Sequence, residues 1–161
     1  MTSHLSPVTL DDFDRQLLLA VQQDNRMPLR LLAEKVHLST AAVQRRIRRM
    51  EEAGVISSNV AVVSPPSVGK VITLLVEVQA ERTQTADLDE LKKSLSGPEV
   101  QQCYYVTGEA DFMLVMTVDS MTEYEALARH MFYDNKNIKS FRTIVVMDRV
   151  KVGLTVPLVT A

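Results

Sequence analysis

The apolar residues of this chain change period at Gly54, and that change restricts the fold more than any other feature of the sequence. Before Gly54 they recur every three or four residues, as on amphipathic helices; after it they alternate, as on half-buried strands. A chain of 161 residues has room for one ordinary domain or two small ones, and the switch predicts two. The expected class is α+β. Its parts are a flexible N-terminus over 1–8, a helical domain over 9–54, a linker strand over 55–66, a βαββαβ domain over 67–152 and a tail over 153–161.

In "LDDFDRQLLLAV", Phe13, Leu17, Leu18 and Val21 share one helical face, and three aspartates sit in the first turn, where the helix dipole favours negative charge. "QQDNRM" breaks this helix. Pro28 suits the opening turn of a second, "PLRLLAEKV", whose Leu29, Leu32, Ala33 and Val36 face inward. After the short turn "HLS", the Ser39 hydroxyl is placed to cap a third helix that runs to Gly54, a residue suited to the left-handed position past a helix end. Helix, turn and helix behind a supporting helix is the helix-turn-helix arrangement, here of winged-helix-like type.

The third helix has two unlike sides. Val43, Ile47 and Met50 point inward, while Thr40, Ala41, Gln44, Arg45 and Arg48 lie opposite, flanked by Arg46 and Arg49, with no acid before Glu51. The whole chain has net charge -2, yet residues 1–60 carry +1 and the remainder -3, so the cationic surplus is local. A major groove admits an α-helix whose leading residues touch base edges while arginines neutralise phosphates. On that basis Ser39, Thr40, Ala41, Gln44, Arg45, Arg46, Arg48 and Arg49 are the candidate contacts to double-stranded DNA. Gln44 is placed for an adenine edge and Arg45 for a guanine edge, and Arg46, Arg48 and Arg49 for phosphates. An arginine run alone is also what a solvated helix face carries; the Ser39 cap, the short turn and the two upstream helices favour DNA.

Beyond Gly54, "VISSNVAVVS" reads as a strand ended by "SPPSVG". "VITLLVEVQA" follows, then a helix over 87–95, the strands "EVQQCYYVTG" and "DFMLVMTVD", a helix capped by Ser120 and Glu123 and running to Tyr133, and a last strand in "IKSFRTIVVMDRVKV". The order is the ferredoxin-like split βαβ. Both helices of such a unit cover one sheet face, yet the strands are apolar on both, which predicts a homodimer formed face to face. The alternative is that residues 55–66 or the tail cover the second face within one chain.

Catalytic patterns are missing from the sequence: the three histidines have no ligand spacing, and there is no nucleophile elbow, Walker loop or dinucleotide fingerprint. The chain is read as no enzyme, with no metal and no cofactor. The lone Cys103 reads as strand packing in a reducing compartment, and no apolar run is long enough for a membrane span, so a cytoplasmic location without membrane partners is expected. "VTGEADF" offers Gly108 for close approach and Glu109 and Asp111 as acceptors for an ammonium group, although a hairpin turn needs such residues in any case.

Taken in order, "LDDFDRQLLLAVQQDNRMPLRLLAEKVHLS", "RRIRRMEEAGVI", "VTGEADF" and "RTIVVMDRVK" resemble the Lrp/AsnC family of transcription regulators over nearly the whole chain. The resemblance implies a sequence-specific regulator that dimerises through its sheet, assembles further to octamers and responds to an amino-acid-like effector. It implies effector contacts at Gly108, Glu109, Ala110 and Asp111, with Arg142 and Thr143 as further candidates. Thr40 stands where members often carry Pro, Gln44 where they carry Ser, Thr or Leu, and Glu109 where they carry Asp. Two other readings remain at this point: an architectural DNA-coating protein, and an amino-acid-binding module that does not bind DNA.

Overall fold

A computed structural model describes residues 9–81 and 85–159. The expected N-terminal segment 1–8 lies outside the described residues. The chain divides into two compact units, one built from the chain up to Ala61 together with the stretch from Val152 onward, the other from Val62–Lys151.

The first unit holds α1 (Asp12–Gln23), α2 (Leu29–Val36) and α3 (Thr40–Glu52). Asp11 caps α1 in a reciprocal box, its carboxylate accepting the Asp14 amide while the Asp14 carboxylate accepts the Asp11 amide. α2 ends at His37, which takes a left-handed conformation at φ 55°. Ser39 caps α3 by accepting the Ala42 amide at 3.2 Å. Past α3, Gly54 turns the chain at φ 70° and the Val55 and Ile56 amides return to the Met50 carbonyl. Leu17, Leu18, Leu32, Ala33, Val36, Val43 and Met50 form the buried core, with Val55 and Ile56 packed on it. Burying this apolar surface is what stabilises helices too short to persist alone.

Two expectations are corrected here. Residues 55–64 form no strand ladder, and Val60, Val62 and Val63 are exposed: β propensity makes a strand only where another strand pairs with it, and none pairs here. The tail, expected as a separate segment over 153–161, joins the helical unit over its described residues. Val156 donates its amide to the Gln22 side chain and accepts from it, and Leu158 packs against the helical core.

The second unit is a four-stranded antiparallel sheet of β1 (Ile72–Ala80), β2 (Val100–Tyr105), β3 (Phe112–Val118) and β4 (Ile138–Val145), in the order β2-β3-β1-β4. α4 (Thr85–Ser94) and α5 (Met121–Ala128) complete the βαββαβ order, and α5 runs into a π-helical turn over Arg129–Tyr133. Leu74, Val76, Val78, Phe112, Leu114, Met116 and Val118 bury one sheet face under Leu91 and Leu95 of α4 and Tyr124, Ala128, Met131 and Phe132 of α5 and its turn. The other face presents Leu75, Val115 and Ile144 across three strands, with Glu77, Met113 and Arg142 beside them in register. Among the described residues no helix of this unit packs on it, and Arg142 and Ile144 are exposed there. β4 ends at Val145, short of the expected strand through 152: the last paired residues are Val145 and Leu74, Val146 makes one further bond, to the Thr73 carbonyl, and the chain then leaves the sheet.

Candidate nucleic-acid interface and ligand loop

Val43 and Met50 are fully buried, and this fixes which side of α3 looks outward. On that side Thr40, Ala41, Gln44, Arg45 and Arg48 are all exposed, as is the capping Ser39. Arg45 makes no ion pair among the described residues, and Arg48 pairs at 2.7 Å only with Glu52 one turn on, both ends in solvent. That bond raises the Arg48 pKa above its ordinary value, and a guanidinium is cationic at any working pH in any case. Exposed pairs of this kind are weak and yield to a phosphate.

Arg46 and Arg49 are placed differently. Arg46, read from sequence as a phosphate clamp, donates to both Asp11 and Asp14 at 2.8 Å and lies over the Phe13 ring, with 22% of its side chain exposed. Arg49, also read as a clamp, donates to Asp14 at 2.5 Å. The structure therefore engages both arginines with α1, because the aspartates that favour the α1 N-terminus also face α3. The bonds to Asp14 and Asp11 push the Arg46 pKa up, and the Asp14 amide, with Arg46 beside it, holds the Asp11 carboxyl below its usual range. Sequence reasoning missed Asp14. The signal was present: Asp14 stands on the same helical stripe as Leu17, Leu18 and Val21, and a carboxylate in an apolar stripe requires a cation opposite.

The second candidate site is the β2–β3 hairpin. Gly108 adopts φ 134°, a backbone open to glycine and strained for other residues, while Glu109 is exposed. Asp111 closes the turn: its amide donates to Val78, its carbonyl accepts from Val106, and its carboxylate accepts the Ala80 amide at 2.8 Å. The Gln79 side chain donates to the Glu109 carbonyl and accepts from Ser140 of β4. Asp111 thus has a structural task, with Ala110 half-buried beside it.

Arg142 and Thr143 do not share a surface. Adjacent strand residues point to opposite faces, and Arg142 makes a two-point bond to Glu77 at 2.7 and 2.8 Å on the open face while the Thr143 hydroxyl meets the Tyr124 hydroxyl of α5 beneath the sheet. The Arg142 bond holds the Glu77 carboxyl below its usual range. Arg142 remains within electrostatic reach of Glu109, whereas Thr143 is turned away from the open face. A surface cavity of about 410 Å³ lies among Lys70, Glu99, Gln101, Thr117 and Glu123, and none of the expected effector residues lines it. Among the described residues no helix is long and apolar enough to cross a membrane.

Comparison with known proteins adds independent support. Residues 10–51 match the AsnC-type helix-turn-helix domain, and residues 73–156 match the Lrp/AsnC ligand binding domain. An HTH-type transcriptional regulator of Sinorhizobium fredii is 47% identical over 150 residues, spanning 92% of this chain and 89% of that protein. The crystal structure of an AsnC family transcriptional regulator from Agrobacterium tumefaciens superposes with a TM-score of 0.87 at 30% identity, over 92% of this chain and 97% of that one. A transcriptional regulator from Neisseria meningitidis, solved as an L-methionine complex, gives a TM-score of 0.86 at 26% identity with the same coverage. With both of its units matched and its relatives regulators rather than enzymes, the chain belongs to the Lrp/AsnC family of transcription regulators.

Proposed function

We propose that this regulator reads DNA through the exposed side of α3 and adjusts its affinity when an amino acid binds beside the β2–β3 hairpin. The observation that carries the DNA half is the outward side of α3: Thr40 and Ala41 are small enough for close approach, Gln44 and Arg45 reach farther toward base edges, and Arg48 is a surface cation for phosphate. Ser39 contributes the capped helix start. A two-fold assembly sets two such helices at a fixed separation, as successive half-sites on one side of a duplex require. The open sheet face, with Leu75, Met113, Val115 and Ile144, is the surface for that homodimer, and further assembly to an octamer follows the family pattern.

For the effector, Gly108 leaves the backbone approachable, and Glu109 and Asp111 are acceptors for an ammonium group. Arg142, near Glu109, is the residue for a carboxylate, once it exchanges Glu77 for the ligand. The methionine held by the Neisseria relative supports an amino acid as the class of effector. No cofactor is required by this reading. Acting on the chromosome of a bacterium or archaeon places the protein in the cytoplasm.

Competition between the genomic fragments the protein selects and random duplex DNA tests the DNA half. Selective retention is expected; equal competition makes the protein an architectural one. Calorimetric titration of an amino-acid panel against wild type and Asp111→Ala tests the effector half, and equal binding by both removes Asp111 from the site.

A further inference from the structure

Among the described residues of the helical unit the most deeply buried charge is the Asp14 carboxylate, 1% exposed, and the groups it bonds come from the α1 cap and from α3. It accepts the Asp11 amide at 3.2 Å, Arg46 at 2.8 Å and Arg49 at 2.5 Å. Arg46 and Arg49 are three residues apart on α3 and therefore neighbours on one face. Two bonds to one fixed carboxylate, made one turn apart, resist rotation of α3 about its own axis. Apolar contacts at Val43 and Met50 hold α3 down, but they have no direction and tolerate small rotations.

Rotation matters for reading. A side-chain tip about 6 Å from a helix axis moves about 2 Å when the helix turns by about 20°, whereas a hydrogen bond to a base tolerates only about 0.5 Å. Phosphate contacts by a long exposed arginine survive such a shift; a two-point contact to a base edge does not.

We propose that Asp14 is a positioning residue for DNA recognition, fixing the rotation of α3 through Arg46 and Arg49. This rests on the DNA reading above. Arg46 and Arg49 are then struts between helices, and Arg45 and Arg48 are the cations that α3 offers to the duplex.

The test uses the full chain and two duplexes, one selected by the wild type from a random library and one of mixed sequence, with affinities from fluorescence anisotropy. Asp14→Asn keeps the shape and removes the charge, Arg49→Gln removes one strut, and Arg49→Lys keeps a cation for Asp14. The ratio of the two affinities is the readout, because a change in net charge acts on both duplexes alike. For Asp14→Asn and Arg49→Gln the ratio is expected to fall about tenfold or more, while Arg49→Lys holds it within about threefold of wild type. Circular dichroism and urea titration identify folded variants, and should Asp14→Asn fail to fold, the Arg49 pair decides. An unchanged ratio in folded Arg49→Gln overturns the assignment and leaves the DNA reading standing. Absence of binding to either duplex by the wild type overturns the reading itself and this assignment with it.

Discussion

Replacing Arg45 and Arg48 together by alanine removes two exposed cations from α3 without disturbing its core, because neither side chain contributes to the packing of the helices. The salt-dependent part follows from counterion release: each phosphate contact contributes about 0.9 to the slope of log affinity against log salt, so the one such contact per helix, at Arg48, contributes about 0.9. Between 0.05 and 0.2 M salt, a fourfold change, that slope difference amounts to about threefold in affinity per helix and about tenfold for a two-fold pair of helices, in addition to the loss of the Arg45 base contacts at every salt concentration. Arg48 must leave Glu52 to reach a phosphate, but both partners are largely in solvent and the pair offers little resistance. The assay is fluorescence anisotropy with a labelled duplex across a salt series, for wild type and the double variant. Parallel salt slopes, with the variant folded, would refute the assignment of this side of α3 to DNA.

Three further outcomes are expected. Leu114→Ala, at a fully buried position between Val76 of β1 and Cys103 of β2, destabilises the sheet unit by about 3 kcal/mol in urea unfolding. Asp11, Glu77 and Glu123 are each held below the usual carboxylate range, Asp11 mainly by the Asp14 amide, Glu77 by Arg142 and Glu123 by Lys70. The folded chain therefore binds fewer protons than the unfolded one in acid: their stabilisation is complete above the ordinary carboxylate range and is lost as pH falls through it toward the folded-state values, which thermal melts in a pH series will show. Burial pushes the Cys103 thiol up from its ordinary value, so at neutral pH iodoacetamide will modify it more slowly in the native protein than in urea.

What the sequence made legible was governed by local rules. The helix end at Gly54, the Ser39 cap, the Pro28 helix start and the β1 alternation each depend on residues within a turn or two of one another, and each appears in the structure where it was expected. The failures involve partners distant in sequence. "VISSNVAVVS" has the composition of a strand but pairs with none of the four, and β4 leaves the sheet after Val145 although its sequence stays apolar through Met147. The pairing of Arg46 and Arg49 was not legible because the aspartates that bind them lie more than thirty positions away; Arg49 nonetheless stays exposed, as read. Of the ligand loop, the turn residues were legible but not their bonding: nothing local reveals that Asp111 caps the end of β1 through Ala80, or that Arg142 is tied to Glu77 while Thr143 faces α5.

The return of Val152–Val159 to α1 has a consequence for biosynthesis. Translation delivers the three helices first, then all four strands, and only afterwards the residues that seat Leu158 on the helical core. On the ribosome the reading head therefore waits, without its last packing residue, while the sheet is made, and it is completed only after the sheet.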